Sequence, residues 1–168
     1  MKMTNKKLNL KEIIEMAIQV EIAGAAFYKK LRETAGSGEA RNLFGHLEKA
    51  EYKHLEDSQA ILQKALARHD QHEYATTEED LLYFRAFASR RIFSSAEDAV
   101  SKAENLDDVL EAIDMALDFE LKSAGFYREM ADMIEDPDDR ASVLELENQE
   151  KGHAAYLYKM REKLAGDM

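Results

Sequence analysis

The chemistry legible in this sequence rests on six side chains. Glu21 stands in an apolar helical stripe, with Ala17, Ile18, Gly24 and Ala25 three and four residues away. Glu120 stands in the same way among Ala116, Leu117, Ser123 and Ala124. Glu51-Tyr52-Lys53-His54 puts a carboxylate and an imidazole at i and i+3, on one helix face, and Glu150-Lys151-Gly152-His153 repeats the arrangement. Leu47 and Leu146 lie one turn earlier on those faces. Four glutamates on buried faces cannot all stay ionised near one another without compensation, because desolvation and mutual repulsion force protonation. Two divalent cations resolve the conflict: the four carboxylates balance their charge, and two neutral imidazoles complete the ligand set. Carboxylate and imidazole donors suit iron or manganese alike. The competing reading is a helical bundle with unusual buried ion pairs. Against it, no Lys or Arg accompanies Glu21 or Glu120 on the apolar faces.

These residues recur as an internal repeat. A shift of 99 residues carries Glu12 onto Glu111, Ile14 onto Ile113, Glu21 onto Glu120, Phe27 onto Phe126 and Tyr28 onto Tyr127. The same shift carries Leu47 onto Leu146, Glu51 onto Glu150 and His54 onto His153, with no gap. Helical periodicity alone accounts for the aliphatic matches. It does not account for matched Glu and His on apolar stripes.

The elements that must hold the six residues are long helices. One Pro and seven Gly in 168 residues leave few breakers. The first helix is expected over about 9–34, opened by an Asn9–Glu12 capping box, and the second over about 39–68, after Gly36-Ser37-Gly38. Leu43, Leu47, Leu55, Leu62 and Leu66 mark the apolar side of the second. The third is expected from about Asn105, with Asp107 and Asp108 at its positive end, to Ile134; the fourth starts at Asp136-Pro137 and runs to about Leu164. Between them, Thr77 with Asp80 and Ser95 with Asp98 read as caps of two shorter helices. The chain is therefore read as a single domain, 1–168, all-α: hairpins at about 9–68 and 105–164, joined by a partly helical crossover at about 69–104. At about 1.5 Å per residue, Glu21 before the glycine turn and Glu51 after it come to the same height, as do Glu120 and Glu150 about Pro137. Two such hairpins packed about a dyad bring all six side chains together.

On these residues the sequence resembles the ferritin-like di-iron carboxylate proteins, and among them the rubrerythrin family. The resemblance covers both hairpins. It implies a ferritin-like four-helix bundle in which Glu51 and Glu150 bridge two iron ions, Glu21 and Glu120 are terminal carboxylates, and His54 and His153 each bind one metal. It further implies an oxidoreductase reacting with dioxygen or hydrogen peroxide, and a homodimer in which helix exchange between protomers is an option. Rubrerythrins usually carry a rubredoxin-like centre with four Cys, whereas this sequence has none; electrons would come from a separate protein. Peroxide-reducing rubrerythrins carry an extra Glu three residues after the third-helix ligand, and Ser123 stands there. A non-catalytic iron-binding or storage protein, and a manganese catalase-like enzyme, are the alternatives.

Composition narrows the rest. A net charge of −11 argues against nucleic acid and against a basic membrane surface. The absence of Cys excludes thiolate metal sites and cysteine catalysis. No apolar run approaches 18 residues and no leader pattern opens the sequence, so a cytoplasmic protein is expected. Tyr28 and Tyr127 read as core residues with satisfied hydroxyls, with a supporting role at the ligands as the alternative; Phe27 and Phe126 read as packing. Glu48 and Glu147 read as a solvated flank, with orienting the ligands as the alternative; His46 reads as surface, and His69, His72 and Glu73 as crossover surface, with metal binding as the alternative. The acidic run 136–139 reads as a helix start.

Overall fold

The computed structural model describes residues 10–67 and 77–167. Asn9, Arg68, His69, His72 and Glu73 lie outside the described residues, as do the side chains of Leu66 and Asp80. Six helices follow in order: α1 (Leu10–Thr34), α2 (Gly38–Ala67), α3 (Glu78–Ser89), α4 (Ala96–Glu104), α5 (Val109–Met133) and α6 (Pro137–Gly166), with no strand among the described residues. α1 pairs with α2 and α5 with α6 as the two hairpins, which meet along α1–α5 and α2–α6. The short helices of the crossover lie against the outside, α4 on α1 and α3 on α5.

Local chemistry sets the boundaries. The Ser37 hydroxyl accepts from the Ala40 amide at 3.1 Å and opens α2. Ser95 accepts from the Asp98 amide at 3.0 Å, while the Asp98 carboxylate accepts from the Ser94 amide at 2.9 Å. Pro137 is the first residue of α6, and Asp136 accepts from the amides of Asp138 and Asp139. The acidic run is thus consumed in capping.

The third long helix departs from expectation. It begins at Val109, four residues later than the sequence suggests. Asn105 instead closes α4, its side chain donating to the Ser101 carbonyl at 2.9 Å. Asp108 is the cap of α5, accepting from the Glu111 amide at 2.9 Å, and Glu111 answers by accepting from the Asp107 amide at 3.0 Å. Acidic residues read as a first helical turn form a capping box just outside it.

Two apolar clusters fill the bundle. One joins Ile13, Ile14 and Ala17 of α1 to Ile61 of α2, Phe126, Tyr127 and Met130 of α5, and Val143 and Leu146 of α6. The other joins Phe27, Tyr28 and Leu31 to Leu43 and Leu47, to Ile113, Ala116 and Phe119, and to Leu157. The start of α1 therefore packs with the end of α5, so these two helices run antiparallel. The six glutamates and histidines lie between the clusters, at mid-height.

Candidate metal centre

Glu21, Glu51, Glu120 and Glu150 are fully buried, His54 is buried, and the side chain of His153 is 15% exposed. Ligand atoms of Glu51, His54, Glu150 and His153 lie within 4.8 Å of one another. Glu21 and Glu120 stand outside this group of four and reach it at the imidazoles. His54 Nδ1 is 3.5 Å from Glu21 Oε2, and 3.2 Å from Glu150 Oε1 across the hairpin interface. His153 Nδ1 is 3.4 Å from Glu120 Oε2 and 3.2 Å from Glu150 Oε2. The two imidazoles stack with centroids 5.2 Å apart. All six residues singled out in the sequence are thus in one cluster, with Glu150 between the two histidines.

The polar inventory of this cluster does not close. Glu21 Oε2, both oxygens of Glu51, Glu120 Oε2, Glu150 Oε1 and His54 Nδ1 are buried without a hydrogen-bond partner. Buried polar atoms almost always have one, and leaving several anionic oxygens bare in one place is costly. Convergent, unpartnered carboxylate oxygens with imidazole nitrogens are a donor set that divalent metal ions satisfy. The residues therefore fit a metal centre.

The electrostatics carry the same tension. Burial pushes the carboxyls of Glu21 and Glu51 well above the usual range, and repulsion from neighbouring glutamates adds to it. Burial, then Glu150, raises Glu120 to about 8. Glu150 goes the other way: burial opposes its charge, but the adjacent imidazoles of His153 and His54 outweigh that and hold it low, at about 2. Burial likewise opposes charge on the histidines, yet the surrounding carboxylates raise His54 to about 9 and His153 to about 10. Without metal, the cluster keeps protons in the place of cations.

Two tyrosines hold the outer carboxylates, and they do so crosswise. Tyr28 of α1 donates to Glu120 Oε1 of α5, and Tyr127 of α5 donates to Glu21 Oε1 of α1. Each tyrosine lies two turns beyond the glutamate of its own helix. In antiparallel helices two turns up one is two turns down the other, so Glu21 faces Tyr127 and Tyr28 faces Glu120. Both rings are fully buried, as expected of core residues. The hydroxyl partner is the opposite hairpin's glutamate, which spacing along one helix does not reveal.

The flanking glutamates differ from expectation. Glu147 is buried at 5% exposure and pairs with Lys151 at 2.6 Å and Arg128 at 3.7 Å. Glu48 is half-buried and takes Arg32 Nε at 2.5 Å. A solvated flank is thus incorrect for Glu147, because cations on both sides allow it to leave water. His46 is exposed, as expected, and rests edge-on to Tyr156, 5.8 Å between centroids. The sequence carries no signal for the bare buried hydroxyl of Ser58, one turn after His54. It marks Gly24 only as a small residue, yet a Cβ there would stand 2.5 Å from Glu51 Oε2 and 2.5 Å from the Phe119 ring.

Residues 1–62 match the rubrerythrin family model. That rubrerythrin-matching span contains Glu21, Glu51 and His54; Glu120, Glu150 and His153 come from the second hairpin. Among solved structures, the chain is similar to a protein of Thermotoga maritima described as a ferritin-like diiron-carboxylate protein. The TM-score is 0.71 at 23% identity, covering 93% of this chain and 96% of that one. The fold is therefore ferritin-like. No curated protein matches the chain. Among the described residues, no helix is long and apolar enough to cross a membrane.

Proposed function

We propose that this protein is a dinuclear iron oxidoreductase whose substrate is dioxygen or hydrogen peroxide. The observation that carries the reading is the convergence of bare carboxylate oxygens and an imidazole nitrogen in a buried cluster built twice over by an internal repeat. Glu21, Glu51, Glu120 and Glu150 would hold the ions through carboxylate oxygens, and His54 and His153 would supply one nitrogen each. A bound di-iron centre supplies electrons in pairs, which suits reduction of dioxygen or of hydrogen peroxide. Manganese is the alternative metal for the same donors.

The chain's own residues do the remaining work. Tyr28 and Tyr127 fix one oxygen of Glu120 and of Glu21 by donating a hydrogen bond to it, which leaves the second oxygen for metal. The two apolar clusters exclude water above and below the carboxylates. His153, the more exposed imidazole, marks the side on which metal and protons enter. The 168 residues contain no Cys from which to build a thiolate electron-transfer centre, so the electrons would come from outside these residues. Stopped-flow mixing of the ferrous-loaded protein with dioxygen or peroxide tests the reading. Oxidation faster than that of free ferrous iron is expected; a rate no faster than free iron contradicts catalysis.

A further inference from the structure

Outside the carboxylate cluster, the crossover and the bundle line a small cavity that opens to solvent on one side. Phe87 and Phe93 cover Ala23 of α1 and Phe119, Ser123 and Phe126 of α5. The volume open to the centre of a water-sized sphere is about 20 Å³. One water needs roughly 10–15 Å³ on that measure, so the cavity accepts a guest of about two heavy atoms. Its lining is aromatic and aliphatic apart from Arg91 and Lys122, which are exposed or half-exposed, and the buried Ser123. Ser123 is 2% exposed and its hydroxyl has no hydrogen-bond partner. The mouth is held by Phe87, whose ring lies where a Cβ on Gly125 would come within 2.9 Å, with Lys122 Nζ 5.2 Å from its centroid.

The cavity adjoins the carboxylates. Phe119 forms its wall, and the same ring shares with Glu51 Oε2 the space that a side chain at Gly24 would fill. Ser123 lies one turn beyond Glu120. The 99-residue shift carries Gly24 onto Ser123, so the duplicated bundle offers this hydroxyl only once.

We propose that this cavity binds a small apolar diatomic molecule, dioxygen by its chemistry, among aromatic rings beside the buried Ser123 hydroxyl. Water needs two to four polar partners to be stable in a cavity, and the buried part offers one hydroxyl, since Arg91 and Lys122 are exposed or half-exposed. Hydrogen peroxide would bury two donors and its lone pairs against the same single group. The apolar preference stands on the cavity alone; the role of its guest as the oxidant rests on the function proposed above.

The test is a xenon-pressurised crystal of the full chain, because xenon enters dry apolar cavities. An anomalous peak touching Phe119 and Phe126 is expected. It should persist in Ser123→Ala, which keeps the space, and vanish in Ala88→Leu, which fills it from the half-exposed crossover side. No peak there in the unaltered protein, ordered water at Ser123 in its place, or a peak indifferent to Ala88→Leu would overturn the proposal. Iron content, measured separately, keeps the two readings apart. Xenon bound in protein that takes up no iron would support the cavity and contradict the di-iron centre, and iron bound without xenon would do the reverse.

Discussion

At Tyr127 one hydroxyl decides whether Glu21 presents a single free oxygen or two. The phenol donates to Oε1 and leaves Oε2 bare in the cluster, so the carboxylate is aimed before any cation arrives. Groups that orient ligands in this way affect metal affinity strongly without touching the metal. Tyr127→Phe is expected to weaken metal binding by roughly 10–100-fold, read by competition with a chelator, while the fold remains. Tyr28→Phe should act to a similar extent through Glu120, because the internal repeat makes the two positions equivalent. A loss confined to thermal stability, with affinity unchanged, would make both tyrosines packing residues only. The ligand types and spacing are readable in the sequence because Glu and His repeated on apolar stripes demand a compensating charge. The tyrosine partners are not, because they lie across the α1–α5 interface and depend on antiparallel register.

At the level of elements, α1 comes close to α2 and α5 at Gly24. A methyl group there would meet Glu51 Oε2 and Phe119, both at 2.5 Å. Neither neighbour can yield freely, since one is a candidate ligand and the other is buried in the core. Gly24→Ala is expected to destabilise the protein by about 1–3 kcal/mol through overpacking, seen in a denaturant titration, and to reduce metal content as Glu51 is displaced. A stable variant with full metal content would refute the close approach. Helix extents are legible because breakers are few and the caps are local: Ser95 and Asp136 cap where the sequence places them. The start of α5 falls four residues later than expected because Asp107 and Asp108 suit both a first turn and a capping box, and only the closure of α4 by Asn105 separates the two. The burial of Glu147 is hidden for a similar reason, since a glutamate beside an exposed face reads as solvated until Arg128 and Lys151 close over it.

Across the whole molecule, the cluster couples stability to pH. In the metal-free folded protein, Glu21, Glu51 and Glu120 keep protons above the usual carboxylate range, and His54 and His153 keep theirs up to about 9 and about 10. The unfolded chain releases those protons earlier. The folded state therefore binds more protons over this interval, and stability falls as pH rises through it. Glu150 has the opposite sign: its contribution is present above the ordinary carboxylate value and is lost as pH falls toward about 2. Calorimetry of metal-free protein should show a lower melting temperature at about pH 9 than at about pH 6, with a shallower decline in Glu51→Ala/Glu150→Ala. Metal replaces the protons, so metal affinity should rise over the same interval. A metal-free protein that gains stability with rising pH would contradict this charge assignment.

Four glutamates and two histidines, three residues from each hairpin, are proposed to hold two metal ions, and everything else about the site depends on that. Elemental analysis of gently purified, untagged protein beside its Glu51→Ala/Glu150→Ala variant tests it most directly. Glu150 also lies against His54 and His153 in the metal-free cluster, so circular dichroism first checks that the variant has folded. About two iron or manganese ions per chain, absent from the folded variant, is the result expected of four carboxylates and two imidazoles that hold two ions together. No bound metal after anaerobic loading with ferrous iron, or equal metal in both proteins, would contradict it.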